Sequence, residues 1–147
     1  AQSQGWEFGL IGQVTKGLKV VANATGLNAT VTSNPSDPSV VGQQLYNAPK
    51  FSSNVWAVQD IPVSIPGKLS GGLGFVQVGE RQGSISNGLM LPSYTSYDAG
   101  VFYKIDRVNL ALNVKNFTNA KVFNSLEGSA LWRQPGTTYL LTAGMQF

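Results

Sequence analysis

The sequence predicts an antiparallel transmembrane β-barrel, and three observations point that way. Apolar and polar residues alternate with period two in successive segments, so each segment reads as a strand with one apolar and one wet face. Charged residues make up only 12% of the chain while mean hydropathy is −0.01, so charge is scarce without the long apolar runs of a membrane helix. The connections alternate short and long along the chain, as in a barrel with tight turns on one side of a membrane and long loops on the other.

The first strand is expected from about Gly5 to Thr15, with Trp6, Phe8, Leu10, Gly12 and Val14 on one face and Glu7, Gly9, Ile11 and Gln13 on the other. Lys16-Gly17 follows as a two-residue hairpin turn, glycine supplying the positive φ such turns need. The second strand, Leu18 to about Thr30, sets Leu18, Val20, Ala22 and Ala24 against Lys19, Val21, Asn23 and Thr25. A long polar connection runs from Ser33 through Pro35 and Pro38 to Pro49, and its prolines and turn formers exclude the interior of a strand or helix. The third strand, about Phe51 to Asp60, has no face assignment, because Val55, Ala57 and Gln59 compete with Asn54, Trp56 and Val58.

Pro62 and Pro66 mark the next turn, and Leu69 to Gly79 forms a glycine-rich fourth strand suited to a bend or the close approach of other atoms. After a loop from Glu80 to Leu91, the fifth strand alternates Tyr97, Ala99, Val101, Tyr103 and Ile105 with Ser96, Asp98, Gly100, Phe102 and Lys104. Asp106-Arg107 turns into the sixth, where Val108, Leu110, Leu112 and Val114 oppose Asn109, Ala111, Asn113 and Lys115. A loop from Asn116 to Gly136 precedes the seventh strand, whose apolar set is Tyr139, Leu141, Ala143, Met145 and Phe147. At about ten residues this strand is long enough to cross a bilayer at a tilt. The parity of the loops sets the long ones outside the cell and the short turns, with Phe147, on the periplasmic side.

Composition removes several function classes. With no His and no Cys, the chain cannot supply a Ser-His-Asp triad, a His-ligated zinc or haem, or a thiolate metal site, and seven Asp and Glu leave little for carboxylate chemistry. It is not expected to be an enzyme. The net charge of +3 comes from scattered Lys and Arg, so no nucleic-acid partner is expected.

Several stretches together carry a resemblance. These are Gly5-Trp6-Glu7-Phe8, Val41-Gly42 with Ala48-Pro49, Gly74-Phe75-Val76-Gln77-Val78-Gly79-Glu80-Arg81, and Leu91-Pro92-Ser93-Tyr94-Thr95-Ser96-Tyr97-Asp98-Ala99. Leu110-Ala111-Leu112-Asn113-Val114-Lys115-Asn116-Phe117-Thr118-Asn119-Ala120-Lys121, Pro135-Gly136 and the terminal Phe147 complete the order. In sequence they resemble the late barrel strands of TonB-dependent ferric-siderophore receptors of the bacterial outer membrane. Two positions depart from that pattern: Thr137 stands where the family often has Arg, and Gln77 where it has an aromatic residue.

The resemblance implies that residues 1–147 are the C-terminal segment of a barrel of about 22 strands. The plug domain, the TonB box and the earlier strands would then belong to polypeptide outside this chain. Seven strands also leave two open edges, which lipid does not tolerate. An alternative is a small self-contained outer-membrane barrel, adhesive or structural, with an eighth strand hidden in residues 38–48. A further alternative is a soluble secreted β-domain that binds carbohydrate, with glycosylation sequons at Asn23, Asn28 and Asn116.

The resemblance also implies a function: TonB-dependent uptake of a ferric siderophore or similar nutrient, with no resident cofactor and iron present only inside the bound chelate. Tyr46, Tyr94, Trp132 and Arg133 are the candidate ligand contacts, since aromatic rings and cations suit an anionic aromatic chelate. Against that, Tyr94 and Trp132 also suit an interfacial girdle, and Arg133 a lipopolysaccharide-facing charge. Glu7, Lys19, Asp98 and Lys115 are expected to face the lumen. Phe147 resembles the signal read by the barrel-assembly machinery.

Overall fold

A computed structural model describes residues 1–85, 88–127 and 130–147. Among the described residues eleven strands form: β1 (Gln2–Thr15), β2 (Leu18–Thr30), β3 (Phe51–Ile61), β4 (Lys68–Val78), β5 (Arg81–Gln82), β6 (Met90–Leu91), β7 (Tyr94–Ile105), β8 (Val108–Lys115), β9 (Phe123–Glu127), β10 (Ala130–Arg133) and β11 (Thr138–Met145). Seven of them make one antiparallel sheet in the order β1-β2-β3-β4-β7-β8-β11, in which each strand pairs with the strand that precedes it in the sheet's path. These are the seven strands expected from the alternation. The four short strands form two small ribbons within the long connections, β5 with β6 and β9 with β10.

The register sorts the side chains into two faces. Phe8↔Ala24↔Ser53↔Gln77 and Leu10↔Ala22↔Val55↔Phe75↔Tyr97 lie on one face, as do Val101↔Leu112↔Leu141. Glu7↔Thr25↔Ser52, Asn23↔Asn54 and Lys104↔Asn109 lie on the other. A slip of one residue would exchange the faces of a whole strand, so the apolar pattern and the pairing specify one another. Among the described residues no second layer covers the apolar face: Phe8, Leu73 and Leu141 stand 57%, 63% and 75% exposed. A water-soluble sheet buries such a face. An eleven-residue strand such as β3 rises about 3.3 Å per residue, and a tilt of about 45° brings it to roughly 25 Å, the height of the apolar band of an outer-membrane barrel.

Burial is concentrated in the loops at one end of the sheet. Leu91, Val122, Ala29 and Val40, all at 6% exposure or less, lie in or beside the three long connections. The opposite end carries the short turns. Gly17 there adopts φ +86°, and Asp106 takes the left-handed conformation at φ +48°. Asp tolerates that region better than most residues, because its short side chain bonds locally.

Four features differ from the sequence expectation. Strand β1 starts at Gln2, not Gly5, because Gln2, Ser3 and Gln4 pair with Thr30, Ala29 and Asn28. Residues 38–48 form no eighth strand: Pro38–Val40 is a 3-10 turn, and only the isolated bridges Thr30↔Gln44 and Tyr46↔Gln82 follow. That turn also corrects the exclusion of helical structure there, since proline is tolerated in a first helical turn and Asp37 caps it by accepting from the Ser39 amide at 3.2 Å. The faces of β3 resolve with Asn54, Trp56, Val58 and Asp60 on the polar side. Lastly, the loop after β8 contains the β9–β10 ribbon, which no alternation announced.

Candidate functional site at the long-loop end

Strand β7 enters the sheet from the loop end, and its alternate residues Tyr94, Ser96 and Asp98 fall on the polar face. Lys115, the last residue of β8, and Thr138, the first of β11, are paired on the same face. Together they line a cleft of ≈ 380 Å³ whose rim is closed by Gln134, Pro135 and Gly136. Three of the residues expected from the sequence therefore meet here: Tyr94, Asp98 and Lys115.

A buried asparagine fixes this geometry. Asn116, 6% exposed and at φ +50°, donates its backbone amide to Asp98 Oδ1 at 2.8 Å. Its side-chain amide donates to the Ala120 carbonyl and accepts from the Ala120 N–H, both at 2.9 Å. The Thr137 hydroxyl donates to the Asn116 carbonyl at 2.9 Å, so the residue that departs from the family pattern has a local role. With its amide committed, Asn116 is not a surface glycosylation site. Asp98 is held by this bond, and among the described residues Lys115 forms no ion pair with it or with any other carboxylate. The cleft is thus lined by a lysine with no carboxylate partner among the described residues, an aromatic residue and an aspartate.

Behind Tyr94 lies Arg81, which is 4% exposed. Its guanidinium sits 5.7 Å from the centre of the Tyr94 ring, a cation–π arrangement. Arg81 Nε donates to Asn47 Oδ1 at 2.6 Å, and Nη2 donates to the carbonyls of Phe123 and Asn124. One side chain therefore joins all three long connections. The sequence reading missed it: Arg81 closed a quoted motif, but nothing in its neighbours signalled burial of a residue type that is normally exposed.

The remaining expected residues lie elsewhere. Tyr46, 42% exposed, bridges to Gln82, while Trp132 and Arg133 are exposed on β10; none of the three lines the cleft. Glu7 lies opposite Thr25 on the polar face of the edge strand β1. Lys19 shares that face but sits at the short-turn end, in a separate hollow. Phe147 is fully exposed beyond β11, and the Gln146 amide beside it still donates to the Arg107 carbonyl at 2.9 Å. Among the described residues no group of His, Cys, Asp and Glu could hold a metal ion.

Residues 1–117 match the family model described as TonB dependent receptor-like, beta-barrel. The chain is 30% identical over 135 residues to the probable TonB-dependent siderophore receptor PiuA of Acinetobacter baumannii, a match covering 85% of this chain and 18% of that protein. It is 28% identical over 148 residues to the metal-pseudopaline receptor CntO of Pseudomonas aeruginosa, covering 99% of this chain and 20% of that one. The chain thus spans about a fifth of the length of the curated relatives it matches. The crystal structure of PiuA superposes with a TM-score of 0.80 at 28% identity, over 96% of this chain and 21% of that one. BauA, the ferric preacinetobactin receptor of the same organism, superposes at 0.86 with 22% identity over the same shares, a likeness of fold alone. With the uncovered apolar face and the sorted loops, these matches establish that the chain belongs to the outer-membrane β-barrel of the TonB-dependent receptor family.

Proposed function

We propose that this chain forms the C-terminal part of the barrel wall of a receptor that takes up a ferric siderophore or a similar metal chelate. The observation that carries the reading is the cleft at the long-loop end, lined by Tyr94, whose ring is backed by Arg81, and by Lys115, which among the described residues has no carboxylate partner. An anionic chelate offers carboxylate, phenolate or hydroxamate oxygens to the cation and a flat face to the ring. Iron is cargo, carried inside the chelate. No bond is made or broken; uptake is binding followed by displacement of the plug. The names of the two curated relatives, a siderophore receptor and a metal-pseudopaline receptor, support that ligand class.

In this reading the long connections face the cell exterior and the short turns and Phe147 the periplasm, supported by the short-and-long order of the connections. The remaining strands, the plug and the TonB-contacting segment belong to the rest of the polypeptide, a reading supported by the one-fifth span of the relatives. Phe147 serves the barrel-assembly machinery, and the exposed Trp132 and Arg133 meet ligand or lipopolysaccharide. The soluble carbohydrate-binding alternative requires the apolar face to be covered, and the self-contained barrel requires a strand in residues 38–48 that does not form.

The test uses the full-length protein, whose denatured mass is expected to be several times the 15.6 kDa of this chain. Tryptophan fluorescence titration with a panel of ferric siderophores is expected to find one that saturates. Lys115→Ala then weakens that chelate roughly tenfold or more, the worth of a charge-assisted hydrogen bond. A full-length receptor that binds no ferric chelate, or binds one equally well without Lys115, overturns the site.

A further inference from the structure

The connection between β3 and β4 is unlike the other two short turns. Lys16-Gly17 and Asp106-Arg107 are polar pairs, whereas Pro62-Val63-Ser64-Ile65-Pro66-Gly67 carries no charge at all. Ile61, Val63 and Ile65 are all exposed. Single exposed apolar residues are ordinary, but a contiguous group of them marks a contact surface.

The turn is held in place against β7. The Tyr103 hydroxyl donates to the Pro66 carbonyl at 2.5 Å, and a Cβ at Gly67 would run into the Lys104 carbonyl oxygen. Ile61 and Tyr103 flank Leu69 in register on the apolar face, so the turn continues that face beyond the strands. A tyrosine there suits the border between lipid tails and head groups.

Just inside the turn, the same face has a hollow of ≈ 450 Å³. Ala57 and Gly71 form its floor, and Leu18, Ile61, Leu73 and Val101 its walls. Among the described residues that line it, Gln59 alone is polar. Gln59 Nε2 donates to the Asp60 carbonyl at 2.9 Å and lies 3.1 Å from where a Gly17 Cβ would stand, beside the Lys16-Gly17 turn. A primary amide carries two N–H donors, so this one has a second to offer. Lys16, exposed in that turn, forms no ion pair with any described residue.

We propose that this corner of the lipid-facing surface seats one phospholipid of the periplasmic leaflet. An acyl chain fills the hollow over Gly71, a glycerol ester carbonyl accepts from the Gln59 amide, and the phosphate meets the Lys16 ammonium. Val63 and Ile65 insert among the neighbouring chains. Apolar hollow, amide and cation follow one another along the surface in the order of a phospholipid from tail to head. Continuity with a face that already meets lipid favours this occupant over a water-borne protein. The inference rests on the reading that the short turns are periplasmic, and it adds a site that uptake does not use.

The test is native mass spectrometry of the full-length receptor released directly from outer-membrane vesicles, where the two leaflets keep their different lipids. The wild-type protein is expected to retain one phospholipid. Gly71→Leu fills the hollow and is expected to cut the retained fraction about tenfold, since fewer chain methylenes are buried. Gly12→Leu is the control, because Gly12 lies on the same face with open space over it, and its retention is expected to match the wild type. Gln59→Leu removes the amide but not the hollow, and is expected to lower retention about threefold. It decides the matter should Gly71→Leu lose the gel mobility of a folded barrel.

A wild-type receptor released without lipid overturns the proposal, as does equal retention in the hollow-filling and control variants. Retention unchanged by Gln59→Leu, where that variant decides, overturns it too. If the adduct that depends on Gly71 is lipopolysaccharide, the orientation of the turns is wrong and the phospholipid assignment falls with it. The two failures are therefore distinguishable.

Discussion

The Trp56 indole lies across β4 on the polar face, and a Cβ built at Gly72 would stand 2.6 Å from its Cζ2 and 3.2 Å from Phe102 Cε2. Glycine is required there by the approach of two aromatic rings, not by backbone conformation. Gly72→Ala is therefore expected to cost about 1–3 kcal/mol, the range for forcing atoms into a packed site. Adding Trp56→Ala should return most of that loss, and urea titration of the full-length barrel in lipid vesicles reads both. Additive losses in the double variant would show that the ring and the glycine are not coupled. The same contact explains why period-two reading could not assign the faces of β3. A tryptophan biases the assignment toward the apolar side, whereas here it fills space over Gly72 and Gly74 on the polar side. What made glycines necessary in β4 lay in another strand, so the sequence showed an unusual glycine count without its reason.

Strand pairing and loop structure were not equally readable at the scale of elements. Strands such as β8 announce themselves, because Val108, Leu110, Leu112 and Val114 alternate without interruption and the turn at Asp106 has a recognisable residue. The long connections have no such period, so the β9–β10 ribbon and the 3-10 turn at Pro38 were invisible. Their organisation comes instead from side chains such as Arg81, which bonds to Asn47 in the connection after β2 and to the Phe123 and Asn124 carbonyls in the connection after β8. Arg81→Ala should accordingly loosen the connections together, while Arg81→Lys, which keeps the charge but not the fork, restores only part of the order. Hydrogen exchange checks this: protection at Leu45, Asn47 and Gly83, whose amides are bonded in the native loops, should fall jointly. Loss confined to the segment around Arg81 would mean that the connections move independently. The candidate site was legible in the same uneven way. Asp98 and Lys115 sit on strands whose phase can be read, and Tyr94 stands out only as an aromatic residue leading into such a strand, whereas Arg81 lies in the two-residue strand β5 within a long connection, where no period marks it.

The whole sheet makes sense only with lipid against one face. Tyr139, Leu141 and Met145 on β11 stand 72%, 75% and 59% exposed, and Leu112 and Val101 continue the same surface inward across the sheet. In water such a surface drives aggregation, whereas in a bilayer it is the lowest-energy arrangement for a strand that satisfies its backbone laterally. The opposite face obeys a different solvent, since Asn113, Thr142 and Gln146 alternate with those residues. One prediction tests that division directly, by placing the same charge on neighbouring residues of one strand. Leu141 pairs with Leu112 near the middle of the apolar face, so Leu141→Arg should cost about 2–4 kcal/mol, the price of a cation near the bilayer midplane. Thr142→Arg, one residue along and on the polar face, should cost well under half as much, because its guanidinium reaches an interior that already accepts lysines. Folding of the full-length receptor into vesicles across a urea series measures both. Equal costs would mean that the two faces do not meet different solvents, and the barrel reading would fail with them. A large difference of the expected sign would instead fix which side of every strand looks inward, since register carries the face of β11 through β8 and β7 to the edge at β1.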